Sequence, residues 1–534
     1  MSRRIQLYDT TLRDGAQTAG ISFSAEDKVR IAERLARFGM TCIEGGWPGA
    51  SPKDDRFFEL ISEREWKRAK LSCFGSTARS GGPANQDAGL QKLVASGADI
   101  ACIFGKSWDL HVTKALGIPL EENLTLIRDS ITFLKQHFEQ VYFDAEHFFD
   151  GCKHNREYAL ATLAAAAEAG ADSLVLCDTN GGSLPSEVGE FTQQVVELYP
   201  HLIIGIHAHN DAELAVANSI AAIEAGASQV QGTINGIGER CGNANLTSLI
   251  PILKLKMGLN CGISDERLKR MKALSDFANE MANRLPWRHQ PFVGQNAFAH
   301  KGGIHVSAIR KDRSLYEHVD PSMIGNIQQI LVSDQAGRSN ILSKLQQLEP
   351  EAGLNADDPV VLEAVQRIKQ LEATGYAFEG ADASFQLLLR RAMGRFKRHF
   401  ELISFRVFDE KRGHHKASES EATVRVKVDG QLIHSAALGN GPVNAMDKAL
   451  RAALAGAYPN LKPMRLSDFK VRVLSTKEAT EATVRVLIES TDGSSKWSTV
   501  GVSTDVLEAA YRALNDAIEY KLMMDENTQA ADSR

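Results

Sequence analysis

Short apolar segments and amphipathic segments alternate along the first half of the chain. Eight of the apolar segments are rich in β-branched residues and have the length of single strands. The segments between them have helical spacing, as in SAEDKVRIAERLARFG (24–39) and REYALATLAAAAEAG (156–170), and both of these end in Gly, a common helix stop. The predicted strands are RIQLYDT (4–10), TCIEGG (41–46), KLSCFGST (70–77), DIACIFG (99–105), QVYFDAE (140–146), DSLVLCDTN (172–180), LIIGIHAH (202–209) and SQVQGTIN (228–235).

The repeated order of strand, helix and glycine indicates an α/β fold. Eight such units are typical of a (β/α)8 TIM barrel, in which each parallel strand is followed by a helix that covers it. An open, doubly wound sheet is the alternative that the alternation alone would also allow. The count of eight and the even spacing favour the closed barrel.

The second half of the chain contains an internal repeat. The hexapeptide EATVRV occurs at 421–426 and again at 481–486, and around each copy the pattern predicts three strands followed by a helix. In the first copy Ala422, Val424 and Val426 alternate with polar residues, which indicates a strand with one buried and one solvated face. We therefore predict an α+β domain of two βββα repeats.

These patterns divide the chain into three parts. The predicted barrel covers 1–270, and the α+β domain of two repeats covers 399–534. Between them, 271–398 has helical segments and Gly- and Pro-containing stretches, so we interpret it as a linker region with a lid over the active site.

Composition narrows the class of protein. A hydrophobic content of 43% and a charged content of 24% are ordinary for a globular protein with a large core. The net charge of −6 offers no broad basic surface for nucleic acid or an anionic membrane. No apolar run approaches the ~18 residues of a membrane span, and the seven cysteines include no CxxC pair, so we expect a cytoplasmic protein with free thiols.

Polar and ionisable residues collect where the predicted strands end. In barrel enzymes the chemistry lies at the carboxyl ends of the strands and in the loops that follow. We therefore expect these side chains to meet in one cleft. They are Asp9, Arg13 and Asp14 after strand one, Glu44 in strand two, Asp144 and Glu146 in strand five, Asp178 and Thr179 in strand six, His207 and His209 in strand seven, and Asn243 after strand eight.

The pair His207 and His209 is a candidate metal site. In a strand, residues two apart project from one face at a spacing of about 6.6 Å, so both imidazoles can reach one ion. A hydrogen-bonded histidine pair without metal is the alternative. Asp14 and Asn243 follow strands one and eight, which neighbour strand seven in a closed barrel, and their oxygens favour the metal. Two imidazoles and two oxygens leave room for a bidentate substrate and suit Mn, Mg or Zn.

Four motifs together resemble the DRE-TIM metallolyases, whose name comes from residues that correspond here to Asp14, Arg13 and Glu44. Within them the chain resembles the synthases of 2-isopropylmalate, homocitrate and citramalate, which condense acetyl-CoA with a 2-oxo acid. GGWPGASPKD (45–54) and YFDAEHFFDG (142–151) are most similar to the longer citramalate synthases. The four motifs are LYDTTLRDGAQ (7–17), IEGG (43–46), GIHAHND (205–211) and GERCGNANL (238–246).

The resemblance implies roles for individual residues. Asp14, His207, His209 and Asn243 are the implied metal ligands, and Arg13 and Thr179 are implied to contact the 2-oxo acid, in a substrate-binding set that also includes Glu44 and Asp144. FAHKGGIHVSAI (298–309) and SLYEHVDPSMIG (314–325) place His305 and Tyr316 among the catalytic residues, together with Arg13 and Glu146. Glu146, His305 and Tyr316 are all candidates for the base that deprotonates acetyl-CoA, and whether Asp144 or Glu146 matters more stays open.

The resemblance also implies partners. The C-terminal repeats resemble the regulatory domain of these synthases, which forms dimers and binds an end-product amino acid, and LGNGPVNAMDKAL (438–450) is the matching stretch. We expect a homodimer that uses acetyl-CoA and pyruvate and responds to isoleucine, or to leucine if the substrate is a larger 2-oxo acid such as 2-oxoisovalerate. Dimerisation without an effector, a metal-dependent hydrolase, an acyl-CoA lyase and a non-catalytic amino-acid sensor are the alternatives.

Overall fold

The computed structural model contains two compact units, which are considered separately. The first comprises residues 1–298 and 317–328, and the second comprises 299–316 and 329–534. No helix in the described part of the chain is long and apolar enough to cross a membrane. The structure describes residues 3–64, 69–309, 311–330, 341–342, 345–346, 353–355, 357–411, 418–474 and 482–532.

The first unit is built on a closed barrel of eight parallel strands, which confirms the predicted fold class. Strand β1 pairs with both β2 and β8, so the sheet has no free edge. Every predicted strand overlaps an observed one and differs from it by a few residues at the ends. The strands are β1 (Gln6–Asp9), β2 (Cys42–Gly46), β3 (Lys70–Ser76), β4 (Ile100–Lys106), β5 (Gln140–Glu146), β6 (Ser173–Asp178), β7 (Ile203–Ala208) and β8 (Gln229–Gly232).

Helices surround the barrel. They are α1 (Ala25–Phe38), α2 (Pro52–Ser62), α3 (Ala88–Ala95), α4 (Leu120–Leu134), α5 (Phe148–Glu168), α6 (Pro185–Leu198), α7 (Ala215–Glu224), α8 (Leu246–Pro251) and α9 (Met271–Met281). The first shows why the local sequence specifies them. Ser24 accepts a hydrogen bond from the backbone N–H of Asp27, whose carboxylate accepts one from Ser24 N–H in return. The helix ends at Gly39, where φ is 115°, a conformation that glycine adopts without strain.

Alternate strand residues face two different environments. Leu7, Ile43 and Phe143 belong to the large core between the strands and the helices. Tyr8, Cys102 and their neighbours form a separate cluster inside the barrel. This two-residue period places the polar strand residues inside the barrel, at the end where the strands finish.

The second unit contains the two repeats, and the order βββα is confirmed in both. The strands β11 (Glu401–Glu410), β12 (Glu419–Val428) and β13 (Gln431–Gly439) form one antiparallel sheet, followed by α13 (Pro442–Leu454). The strands β14 (Arg465–Val473), β15 (Val484–Thr491) and β16 (Lys496–Ser503) form the other, followed by α14 (Val506–Asp532). Position 481 of the second EATVRV copy lies outside the described residues.

The two repeats share an apolar core. Each helix packs on the sheet of its own repeat, and α13 also contacts α14. Val424 and Val426 of the first sheet and Val486 of the second belong to one buried cluster. The unit also contains the two-residue strands β9 (Ala299–His300) and β10 (Gln329–Ile330), and the helices α10 (Gly303–Ile309), α11 (Pro359–Ala373) and α12 (Asp382–Ala392).

Candidate metal centre and active site

Asp14, His207 and His209 form a buried cluster at the carboxyl end of the barrel. Their nearest ligand atoms all lie within 4.8 Å of one another. The Nε2 atom of His207 is 3.1 Å from Asp14 Oδ2, and that of His209 is 3.8 Å from the same oxygen. The two Nε2 atoms are 3.3 Å apart. Among the described residues, this is the one group of three or more acidic, histidine or cysteine side chains with metal-site spacing.

Asn243 completes the cluster on the side of β8. It forms an isolated backbone bridge with His209, which fixes its side chain beside the histidines. Its Nδ2 donates to Asp14 Oδ2 at 2.9 Å and lies 3.2 Å from His207 Nε2, while its buried Oδ1 has no hydrogen-bond partner among the described residues. A half-turn of this amide exchanges the two atoms and directs the oxygen toward the same three side chains.

Gln231 sets the proton arrangement of His207. Its Oε1 lies 2.7 Å from His207 Nδ1, and its Nε2 donates to Asp144 Oδ1 at 3.2 Å. Because an amide oxygen only accepts, Nδ1 of His207 carries a hydrogen and Nε2 faces the cluster. Sequence reasoning missed Gln231, although the alternation of Gln229 and Gln231 with apolar residues in β8 marks both as inward-facing.

The ionisation of the cluster fits a cation. Burial opposes ionisation of Asp14, but Arg13 and His207 outweigh it and hold the pKa of this carboxyl well below its usual range. Burial, and the neighbouring His207, lower the pKa of His209 to about 3, so its imidazole is neutral. Burial also opposes protonation of His207, yet Asp14 raises its pKa. The ion-free cluster therefore holds a proton that a divalent cation would replace.

Arg13 is held from three sides. Its Nε donates to Glu44 Oε2 at 2.6 Å, and its Nη1 lies 3.2 Å from Asp14 Oδ2. The guanidinium carbon stands 3.8 Å from the ring centroid of Phe74, a cation–π contact. Tyr8 donates to the other oxygen of Glu44 at 2.9 Å. A guanidinium with so many fixed contacts is oriented before any ligand arrives.

Glu44 has a different environment from the one that the resemblance suggests. It is fully buried, and both of its carboxylate oxygens are engaged, one by Arg13 and one by Tyr8. Burial raises its pKa, although the neighbouring Arg13 opposes this shift. The geometry is that of a residue that positions Arg13.

The two acidic residues of β5 lie in different surroundings. Asp144 is buried, accepts from Cys102 Sγ at 3.2 Å and from Gln231, and has a pKa raised by burial. Glu146 is partly exposed and forms an ion pair with Lys106 at the end of β4. Asp144 therefore belongs to the hydrogen-bond chain behind His207, and Glu146 belongs to the rim. The sequence analysis missed Lys106, which its position at a strand end would have indicated.

Thr179 follows β6 and is fixed by the neighbouring loops. Its Oγ1 accepts from the backbone N–H of His147 at 2.8 Å. Its carbonyl accepts from Arg240 at 2.7 Å, and Arg240 also donates to both carboxylate oxygens of Asp211. The GERCGNANL loop is thereby tied to the ends of β6 and β7.

Two of the residues expected in the cleft have local structural contacts instead. Asp9 accepts from the backbone N–H of Thr11 at 2.9 Å and from its hydroxyl at 3.1 Å. Asp178 accepts from Ser183 N–H at 3.3 Å and from Asn218 Nδ2 at 3.1 Å. Both carboxylates hold the loops that follow their strands. A strand-end position alone does not distinguish this use from catalysis.

Aromatic side chains form one wall beside Arg13. Phe74 and Phe104 are stacked with ring centroids 5.5 Å apart, and Trp47 meets the edges of both at 5.7 Å. A cleft of about 390 Å³ lies next to them, lined by Thr77, Lys106 and mostly apolar side chains. The rings come from the ends of β3 and β4 and the loop after β2.

His305 and Tyr316 belong to the second unit. Their rings are stacked with centroids 4.2 Å apart, and both side chains are exposed. The structure therefore brings these two residues together. Their participation in the chemistry of the barrel stays a prediction.

Comparisons with known families cover most of the chain. Residues 4–274 match the HMGL-like family, 292–375 match the homocitrate synthase post-HMGL domain-like family, and 379–522 match the LeuA allosteric (dimerisation) domain. The chain is 52% identical to an (R)-citramalate synthase of Geobacter sulfurreducens over 99% of both proteins. It is also 52% identical to an (R)-citramalate synthase of Aquifex aeolicus over 98% of this chain and 99% of that protein.

A more distant match marks the limit of the group. A probable 2-isopropylmalate synthase of Methanopyrus kandleri is 31% identical over 96% of this chain and 97% of its own length. Full-length identity to the (R)-citramalate synthases is thus much higher than to this sister enzyme. The chain therefore belongs to the HMGL-like family and, within it, to the (R)-citramalate synthases.

Proposed function

We propose that this chain condenses acetyl-CoA with pyruvate and hydrolyses the resulting thioester, which yields (R)-citramalate and CoA for isoleucine biosynthesis. Acetyl-CoA, pyruvate and one water are consumed, so the carbon and oxygen atoms balance. The observation that carries this proposal is the buried cluster of Asp14, His207 and His209 beside Arg13. It lies in a chain that is 52% identical to (R)-citramalate synthases over nearly its full length.

Asp14, His207, His209 and Asn243 would hold a divalent cation of the Mn, Mg or Zn class. Buried nitrogen and oxygen atoms that face one another, and the ionised Asp14, fit such an ion. When bound, the ion polarises the keto group of the 2-oxo acid and fixes its orientation. Gln231 and Asp144 stand behind His207 and keep its ring in the ligating orientation.

Arg13 would bind the oxygen of the 2-oxo acid that gains negative charge. Its charge is permanent, and the contacts to Glu44 and Phe74 hold the fork in place. Glu44 acts as a positioning residue in this proposal, since Arg13 and Tyr8 engage its oxygens. Thr179, held by His147 N–H, supplies a hydroxyl near the same end of the barrel.

Removal of a proton from the methyl group of acetyl-CoA requires a base. Glu146, His305 and Tyr316 are the candidates, and the proposal leaves their order open. Glu146 is at the barrel rim with Lys106. His305 and Tyr316 form a stacked pair on the second unit, which would supply them from the segment after the barrel.

The C-terminal repeats would form a dimer and bind an effector amino acid. The match of 379–522 to the LeuA allosteric (dimerisation) domain supports this part of the proposal. For a pyruvate-using enzyme we expect isoleucine as the inhibitor. The glycine-containing stretch 438–450 ends β13 and begins α13, where backbone N–H groups favour a carboxylate. Free thiols throughout the chain are consistent with a cytoplasmic location.

The experiment measures CoA release with a thiol reagent. Purified protein, Mn or Mg and acetyl-CoA are mixed separately with pyruvate, 2-oxobutyrate, 2-oxoisovalerate and 2-oxoglutarate. We expect release that depends on pyruvate and stops when a chelator is added. Release only with a larger 2-oxo acid would keep the reaction and change the substrate. No release with any of them would favour a lyase or an amino-acid sensor.

A further inference from the structure

The second unit contains a cleft that the proposed reaction does not use. Its volume is about 750 Å³, and its walls come from α11, α12, residues 396–402 and one face of α14. It lies where two separate apolar clusters meet, one built mainly from the helices α11 and α12 and one from the repeats. The volume is in the range of small-molecule sites and is several times larger than a single small amino acid needs.

Aromatic rings line this cleft. Tyr376 and Phe378 stack at a centroid distance of 5.9 Å, and Phe400 and Tyr511 belong to the same lining. Phe396 lies under the guanidinium of Arg391, whose central carbon is 4.6 Å from the ring centroid. Such rings favour a ligand with a planar or apolar body, which can pack against their faces.

The most buried acids of the cleft are already neutralised. Asp516 accepts from Arg391 at 3.0 Å and from Ser384 Oγ at 2.8 Å. Glu519 accepts from the backbone N–H of His399, and His399 Nδ1 lies 2.6 Å from its Oε2. These carboxylates therefore offer little to a cationic ligand.

Two arginines of the cleft are left with few contacts. Arg398 makes no hydrogen bond or ion pair with another residue in the described ranges, and Arg367 has a single long contact, 3.4 Å to Gln370 Oε1. The remaining acids of the lining, Glu363 and Glu401, are exposed to solvent. Guanidinium groups in this state favour carboxylates and phosphates, which accept two parallel hydrogen bonds.

We propose that this cleft binds a small organic anion with a planar ring. Arg398 and Arg367 hold the carboxylate or phosphate of the ligand, and Phe396 and Tyr511 contact its ring. Because the cleft joins the helices α11 and α12 to the repeats, an occupant stabilises the second unit through its preferential binding to the folded state. The site is separate from the barrel cluster and does not depend on the proposed reaction.

The test is isothermal titration calorimetry on the full-length protein with two sets of probes. AMP and 3′,5′-ADP represent ring-bearing phosphates, and phenylpyruvate represents ring-bearing carboxylates. We expect one set to bind with a Kd below about 1 mM. Arg398→Gln should weaken that binding about 10-fold, because it removes a charged hydrogen bond. Ala392→Phe, which fills part of the cleft without changing its charge, should weaken it to a similar extent.

Arg406→Gln is the matched control, since Arg406 is an exposed arginine of β11 outside the cleft. It removes the same charge and should leave the Kd unchanged. Circular dichroism establishes that each variant is folded, and Ala392→Phe decides the outcome if Arg398→Gln is not. Absence of binding by both probe sets would overturn the proposal. So would binding that both cleft variants leave intact, because the ligand would then occupy another site.

Discussion

The barrel rim and the C-terminal repeats place their polar residues in opposite ways. At the rim, Asp14, Glu44 and His207 are almost fully buried, and each is paired with another ionisable side chain. In the repeats, the polar residues of β12 lie on a face that solvent reaches, while Val424 and Val426 carry the packing. Buried charges cost stability unless they are paired, so a dense group of them indicates function rather than folding.

The comparison predicts that substitutions at the rim act on catalysis and that substitutions in the repeats act on stability. His207→Ala removes a proposed ligand and leaves Asp14 without its imidazole partner. We expect kcat/KM to fall by at least about 100-fold, together with loss of bound divalent cation measured by elemental analysis. The exposed His201→Ala is the control and should change neither. Near-normal activity with a full complement of metal would refute the ligand assignment.

Arg13→Lys tests whether orientation as well as charge matters at the rim. Lysine keeps the charge but cannot contact Glu44 and Asp14 with one planar group while stacking on Phe74. We expect kcat to fall about 100-fold or more, as for the loss of a donor to a developing oxyanion. Arg37→Lys on the exposed side of α1 is the control. An unchanged kcat would mean that positive charge alone is sufficient.

Gln231→Leu tests the hydrogen-bond chain behind the ligands. Leucine is similar in size but cannot accept from His207 Nδ1 or donate to Asp144. We expect the half-saturating Mn concentration to rise about 10- to 100-fold, with much of kcat restored at saturating metal. The exposed Gln193→Leu is the control. A lower kcat with an unchanged metal requirement would contradict a positioning role.

Sequence patterns predicted the architecture because both halves of the chain have a clear period. The barrel strands bury both faces, so they appear as apolar runs, and β12 buries one face, so its residues alternate. The strand ends then indicated the cluster of Asp14, His207 and His209, because a parallel barrel brings the carboxyl ends of its strands to one rim.

The remaining features of the site depend on contacts that no local pattern contains. Gln231 meets His207 across two strands, and Tyr8 meets Glu44 from the neighbouring strand. Asp9 and Asp178 lie at strand ends like the proposed site residues, yet their oxygens are used by nearby backbone and amide groups. Whether a strand-end carboxylate is free for chemistry follows from its partners, which only the folded chain determines.

In the repeats, Val424→Ala tests the packing that the rim lacks. Val424 is buried in the cluster shared by both sheets, and truncation leaves a small cavity there. We expect a loss of about 1–3 kcal/mol in the free energy of unfolding of the second unit, measured by urea denaturation. Lys427→Ala on the solvated face of the same strand should change it by less than about 0.5 kcal/mol. Equal effects would show that the alternation does not separate core from surface.

One buried ionisable pair interrupts this contrast, and pH should reveal it. His399 is 7% exposed, and its Nδ1 lies 2.6 Å from Glu519 Oε2. Burial opposes protonation of His399, but Glu519 outweighs it and raises the pKa. The pair therefore contributes its full stability below the ordinary histidine pKa of about 6.5, and this contribution is lost as the pH rises through the higher pKa of the folded state.

We expect His399→Gln to abolish this pH dependence. Between about pH 6 and about pH 9, the wild-type protein should lose about 1 kcal/mol more unfolding free energy than the variant, which has no imidazole to titrate. Calorimetric melting at both pH values measures the difference, and the exposed His201→Gln should behave as wild type. If wild type and His399→Gln lose the same stability over this range, the pair with Glu519 contributes nothing. The repeats would then differ from the rim in having no buried charge that matters energetically.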